Sequence, residues 1–300
     1  MSASIIDGKA IAQAIRDEIA LGVAKLKAAT GITPGLAAVL VGDNPASHVY
    51  VRNKRQACEK AGMASWLHQM PGDIAQADLV SLVRRLNADP TVHGILVQLP
   101  LPAHVDTALV LDEIDPAKDV DGLHPDNLGL LADGRPRFLP CTPQGVWEMG
   151  RRSGIDWSGK RVAILGRSSI VGKSLALVLL QKGADATVTV CHSKSKNIPG
   201  LLRQAEIVVA ALGQARWVTA DMIHPGAVVI DVGIHRLPDG TLVTRFGQRG
   251  VGRHGRERGE DWNEIGFGPN ETVDANGNPV DKGPGNYMNF VANYFRNRTW

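Results

Sequence analysis

Tyr50 and Lys54 stand four residues apart in PASHVYVRNKRQACEKAGM (45–63), which reads as a helix with proline in its first turn and a stop near Gly62. That spacing puts both side chains on one helix face. A lysine partly desolvated beside neutral donors has its pKa lowered and can serve as a general base. Spacing alone reads first as a surface helical pair. Gln98 changes the context: it closes the apolar run HGILVQLP (93–100), ahead of Pro100 and Pro102. In open α/β sheets, ligands gather outside the carboxyl ends of strands. Asp119 and Asp121 lie in the glycine-containing stretch DPAKDVDGLHPDN (115–127), which reads as a loop too polar for an interior element. The pair reads as a turn, and no DxDxDG spacing supports calcium. The nine histidines form no HExxH, so no metal site is expected.

A second chemical segment is the strand RVAILG (161–166) running into RSSIVGKSLALVLL (167–180). Gly166 closes the strand and Gly172 opens the helix. A backbone without Cβ admits a phosphate closely, and a helix N-terminus offers free N–H groups and a positive dipole end. Two motifs are nearly matched. Arg167 stands where Walker A needs its first glycine, and Ser168 where the Rossmann fingerprint needs its second. The strand–turn–helix context favours a dinucleotide; the alternative is a tight turn without a ligand. The next strand ends in His192-Ser193-Lys194-Ser195-Lys196, where an NAD site would place an acidic residue. A hydroxyl and cationic groups there, with Arg167, suit a 2′-phosphate and predict NADP; the alternative is a solvated basic loop.

These segments need a scaffold of alternating strands and helices. Strands are predicted at 36–42, 93–100, 161–166, 186–191, 206–213 and 227–233, and helices at 45–63, 75–87, 105–114, 142–154, 173–182 and 199–205. The fold class is α/β: two α/β domains, the second a Rossmann-like doubly wound parallel sheet. The boundary falls near residue 140, giving domains at 1–140 and 141–243, with 244–300 as a divergent tail. In that tail, Arg245–Glu260 carries five Arg and five Gly in sixteen residues, and reads as loop or disorder without a buried strand. Tyr287, Phe290, Val291, Tyr294 and Phe295 share one stripe of a short helix.

Composition fits this scaffold. The chain has 300 residues, 44% of them hydrophobic, enough for a core in each of two domains. Its net charge of +3, from 33 basic and 30 acidic residues, predicts no general attraction to nucleic acid or membrane. Cys58, Cys141 and Cys191 are far apart and form no CxxC pair, as expected of reduced thiols in a cytoplasmic protein. The first residues lack the pattern of a secretory leader, and no apolar run approaches a membrane span.

Several stretches in order resemble the bifunctional methylenetetrahydrofolate dehydrogenase/methenyltetrahydrofolate cyclohydrolase family. They are SHVYVRNK (47–54), GILVQLPLP (94–102), PAKDVDGLHPDNLG (116–129), PCTPQGV (140–146), GRSSIVGKS (166–174), TVCHSKS (189–195) and DVGI (231–234). The resemblance covers about residues 1–243. It implies NADP-dependent oxidation of 5,10-methylenetetrahydrofolate and hydrolysis of the methenyl product to 10-formyltetrahydrofolate. It implies that Lys54 is the catalytic lysine, with Tyr50 and Gln98 beside it. Asp121 would hold the pterin, with Leu99 and Pro100 also at the substrate. Gly166, Arg167, Ser168, Gly172, Ser193 and Ile234 would form the NADP site. The family implies a homodimer and a small-molecule folate substrate. After Val243 the family's PGGVGPMT loop and closing helix have no intact counterpart, so a stable two-domain core that binds NADP is expected, with folate turnover weakened or absent. Alternative readings are a folded relative inactive toward folate, an NADP-dependent reductase of another substrate, and a protein binding RNA through its Arg/Gly tail.

Overall fold

The computed structural model describes residues 6–212, 214 and 217–232, and strand segments at 235–236, 242–243, 246–248, 272–273 and 279–280. The chain divides between Cys141 and Thr142 into two compact units, one built on residues 12–141 and the other on residues 142–286.

In the first unit the elements run α1 (Gly8–Thr30), β1 (Gly35–Val41), α2 (Pro45–Lys60), β2 (Ala64–Met70), α3 (Gln76–Ala88), β3 (Gly94–Val97), α4 (Thr107–Asp112) and α5 (Pro125–Ala132). The strands form a parallel sheet in the order β2-β1-β3. β1 is central and buried along its whole length, which is why GLAAVLV reads as an unbroken apolar run. Ala37, Val39 and Val41 on one face pack with Leu79, Val83 and Leu86 of α3. β2, absent from the sequence reading, is an edge strand, and its partly exposed ASWLHQM lacks the apolar run of a central strand. α1 was likewise not read. Its buried Ala12, Ile15, Ile19, Val23 and Leu26 recur at helical spacing.

In the second unit the order is α6 (Cys141–Arg152), β4 (Arg161–Leu165), α7 (Gly172–Leu179), β5 (Thr187–Cys191), α8 (Ile198–Gln204), β6 (Ile207–Ala210), a 3₁₀ turn at Ala220–Met222 and β7 (Val228–Asp231). β8 (His235–Arg236) and β9 (Leu242–Val243) pair antiparallel, as do β11 (Thr272–Val273) and β12 (Pro279–Val280). β10 (Phe246–Gln248) joins the main sheet, whose order is β10-β7-β6-β4-β5. Four strands are parallel and only β10 is antiparallel. Alternate residues of β4 feed separate cores, Val162 and Ile164 on one face, Ala163 and Leu165 on the other. The sheet is therefore covered on both faces, the doubly wound α/β arrangement.

Two expectations need correction. Phe246–Gln248, inside the Arg/Gly run, is a strand, because antiparallel pairing on β7 uses main-chain groups and needs no apolar side chain. The polar stretch 115–127 does enter the interior: Asp119 is 3% and Asn127 0% exposed, each hydrogen-bonded to the other. Polarity forbids burial only when partners are missing. The remainder of 245–260, the stripe Tyr287–Phe295 and Ile234 lie outside the described residues.

In both sheets the chain reverses direction about one central strand. β2 lies on one side of β1 and β3 on the other; β5 lies on one side of β4 and β6 on the other. The carboxyl ends of β1 and β4 are thus topological switch points, where connections diverge and leave a crevice.

Candidate active site

α2 leaves the carboxyl end of β1. Asn44 Oδ1 accepts a hydrogen bond from Ser47 N (3.3 Å), and Pro45 opens the helix with its φ already suited. Ser47, Val51 and Cys58 form its buried stripe, and Lys54 falls on that stripe, half-buried. Tyr50, also half-buried, lies one turn before it. The inward stripe removes the reading of a purely surface pair.

β3 ends at Val97, and Gln98 continues its register, with Gln98 N donating to Val39 O of β1 (2.9 Å). This sets Gln98 beside the switch point of the first sheet. Its Nε2 donates to Leu99 O (2.8 Å), while its Oε1 is buried without a donor among the described residues. An unsatisfied buried acceptor costs roughly 1–3 kcal/mol, so this oxygen is set up for a donor from a ligand. The Leu99–Pro100 peptide that follows is cis.

Asp121 comes to the same place through the residues after it. Cys141 N donates to Asp121 O (3.3 Å), and Cys141 Sγ to Val120 O (3.3 Å). Burial pushes the Cys141 thiol well above its ordinary pKa; the Asp121 carboxylate alongside adds to this and the Lys54 ammonium opposes it. One thiol therefore feels both Lys54 and Asp121, side chains 67 positions apart in sequence. Cys141 is the member of this cluster that sequence reasoning took only as a reduced thiol. Its signal was the PCTPQGV motif, which carries no chemical role by spacing. All three cysteines are buried and none is in a disulfide.

The glycine turn of the second unit lies at the other switch point. Gly166 has φ +117, and a Cβ there would stand 2.6 Å from Ala211 O. A Cβ on Gly172 would stand 2.0 Å from Gly166 O. Gly172 thus lets α7 close onto the strand end, and its lost side chain is replaced by protein backbone, which leaves no cradle at that spot. The cradle is the exposed loop between them. The N–H groups of Arg167, Ser168, Ser169 and Ile170 find no acceptor among the described residues. Ser168 Oγ accepts from Val171 N (3.2 Å), and Ser174 Oγ donates to Ser169 O (2.8 Å), fixing the loop. Gly166 N donates to Cys191 O (2.8 Å), so the ends of β4 and β5 are adjacent. Ser193 and Lys194, just past β5, are exposed, as is Arg167, and none has a side-chain partner among the described residues. Ser195 instead caps the turn, its Oγ accepting from His192 N (3.0 Å). Free N–H groups, a hydroxyl and two cations at one sheet edge fit a dinucleotide with an added phosphate.

The comparisons with known proteins fit this geometry. Residues 6–121 match the tetrahydrofolate dehydrogenase/cyclohydrolase catalytic domain, and residues 140–249 the NAD(P)-binding domain of the same family. The chain belongs to this family. The bifunctional protein FolD of Magnetococcus marinus is 55% identical over 240 residues, covering 80% of this chain and 84% of that protein. The FolD dehydrogenase/cyclohydrolase crystal structure from Campylobacter jejuni has TM-score 0.80 and 38% identity, covering 97% of this chain and 95% of the other. The Trypanosoma brucei FolD, solved with NADP cofactor and an inhibitor, has TM-score 0.77 and 33% identity over 98% of this chain and 95% of the other.

Proposed function

We propose that this chain catalyses NADP-dependent oxidation of 5,10-methylenetetrahydrofolate to 5,10-methenyltetrahydrofolate, and hydrolysis of that product to 10-formyltetrahydrofolate. The observation that carries this reading is that Lys54, half-buried on the inward stripe of α2, and Asp121 both lie within residues 6–121, the stretch that matches the family's catalytic domain, while Cys141, hydrogen-bonded to Asp121 O and Val120 O, sits between their charges. NADP supplies the hydride acceptor. Lys54 assists addition of water to the methenyl carbon, with Tyr50 and Gln98 setting its position. Asp121 holds the pterin, and Leu99 and Pro100 line the substrate. The unsatisfied Gln98 Oε1 accepts from the pterin. Gly166, Arg167, Ser168 and Ser193, with Ile234, bind NADP, and Gly172 contributes by closing the turn.

In this assignment residues 1–140 are the folate and catalytic domain, residues 141–243 bind NADP, and residues 244–300 are a divergent tail. We assign the protein as a cytoplasmic homodimer. Three buried cysteines outside any disulfide support a reducing compartment, and among the described residues no helix is long and apolar enough to cross a membrane. Sedimentation equilibrium measures the dimer directly; a monomer mass at micromolar concentration contradicts it.

Cofactor choice has its own test. Arg167 and Lys194, with Ser193, give a 2′-phosphate charge-assisted contacts of about 1.5–3 kcal/mol, a tenfold to hundredfold preference for NADP over NAD. Titration of both cofactors checks this, and equal or tighter NAD binding contradicts it.

A further inference from the structure

Asp119 and Asn127 have no place in the chemistry above, yet both are buried polar side chains beside it, 3% and 0% exposed. Asp119 Oδ2 accepts from His124 N (2.8 Å) and from Asn127 Nδ2 (2.9 Å). Asn127 Nδ2 also donates to Pro116 O (2.9 Å), and Asn127 Oδ1 accepts from Arg137 Nη1 (2.7 Å). The segment is tied to the sheet as well. Asp119 forms a parallel bridge with Ile95 of β3, and Ile95 N donates to Lys118 O (2.8 Å). Lys118 Nζ donates to the carbonyls of Leu86, Asn87 and Asp89 at the end of α3 (3.2, 2.7 and 2.8 Å). From that anchor a turn closes over Asp119–Gly122, Gly122 N donating to Asp119 O (3.3 Å), and carries Asp121 to Cys141 and Lys54. Gly122 has φ +66, and a Cβ there would press Pro140 N at 3.0 Å, so the turn also seats the chain that brings Cys141.

We propose that Asp119 and Asn127 are positioning residues: their hydrogen-bonded pair locks the turn that aims the Asp121 carboxylate at the folate. This rests on the assignment of Asp121 as the pterin contact. A buried carboxyl is a poor choice for stability alone, since an apolar side chain of that size avoids the desolvation cost. Burial indeed raises the Asp119 pKa, against the opposing pull of the His124 and Asn127 donors. What the pair supplies is a fixed turn geometry, and a misplacement of about 1 Å at a binding group costs as much as a hundredfold in rate.

The test compares Asp119→Ala, Asn127→Ala and the conservative Asp119→Asn, whose amide oxygen still accepts both N–H groups. KM and kcat are measured for methenyltetrahydrofolate hydrolysis, with the NADP dissociation constant as a readout from the other unit. Both alanine variants are expected to raise KM for the folate roughly tenfold with NADP affinity unchanged, and Asp119→Asn to restore most of the loss. Asp119→Ala on an Asp121→Ala background is expected to add nothing further, because the pair acts through Asp121. Parental KM in the alanine variants overturns the proposal. So does an equal loss of NADP affinity, a loss in Asp119→Asn as large as in Asp119→Ala, full additivity with Asp121→Ala, or failure of all three single variants to fold. Parental KM in Asp121→Ala alone overturns instead the pterin assignment beneath it.

Discussion

Lys54 sits half-buried on the inward stripe of α2, close enough to Cys141 for its charge to act on that thiol. Its amine is expected to matter for hydration of the methenyl carbon and little for NADP, which is assigned to the other unit. Lys54→Met keeps the aliphatic stem and removes the charge. It is expected to lower cyclohydrolase activity by at least about a hundredfold, the usual scale of a general acid–base contribution. The NADP dissociation constant is expected to stay within about twofold, since the residues assigned to the cofactor share no partner with Lys54. Both are read from stopped-time hydrolysis assays and a fluorescence titration. At this scale the sequence offered Tyr50 and Lys54 as candidates by helical spacing and Gln98 by its place at a strand end, whereas Asp121 came from the family resemblance. It did not show the burial of Asp119 and Asn127 or the bond of Cys141 to Val120. A polar side chain declares its burial only through partners, and those partners come from Arg137, the His124 backbone and Val120, all outside any local pattern.

The β4–α7 turn is the element to which cofactor binding is assigned. An alanine inside a helix ordinarily improves on glycine by about 1 kcal/mol. At Gly172 the sign reverses, because the new Cβ would lie 2.0 Å from the Gly166 carbonyl oxygen, a backbone atom that cannot rotate aside. Gly172→Ala is expected to cost roughly 1–3 kcal/mol in chemical denaturation, the range for overpacking, and to weaken NADP binding by moving the loop Arg167–Ile170. A variant as stable as the parent contradicts the packing role. Central strands were the most legible elements, because β1 and β4 are covered on both faces and must be apolar throughout or nearly so. Edge strands were not: β2 is half exposed, and β10 is recruited by main-chain pairing from a run rich in Arg and Gly. α1 was legible in principle, its buried residues recurring at helical spacing.

Over the whole molecule, acid stability depends on which buried carboxyls change pKa on folding. Burial alone would raise Glu148 on α6, but hydrogen bonds and charge from Arg151 and Arg152, at 2.7–2.9 Å, outweigh it and bring it down to about 2. A depressed folded pKa stabilises the fold above the unfolded value near 4.5 and is lost as pH falls from there toward 2. After discounting for the half-exposed Arg151, this contribution is of order 2 kcal/mol. Asp119 acts with the opposite sign: its raised pKa makes its charged form a cost that appears as pH rises past the ordinary carboxylate range. Glu148→Gln is expected to lower the unfolding free energy at pH 7 and to flatten its fall between pH 4.5 and 2. Urea unfolding at a series of pH values checks both, and an unchanged slope in the variant contradicts the ion-pair account.

The central claim is that one chain carries out both folate reactions, with the amine of Lys54 required for the second. The most direct measurement supplies the purified protein with 5,10-methylenetetrahydrofolate and NADP, and follows reduced cofactor and 10-formyltetrahydrofolate together, beside Lys54→Met. The parent is expected to form both products in step, and Lys54→Met to bind NADP normally while forming no 10-formyltetrahydrofolate above the uncatalysed rate. Reduction of NADP without folate dependence, or hydrolysis by Lys54→Met at the parental rate, would contradict the account.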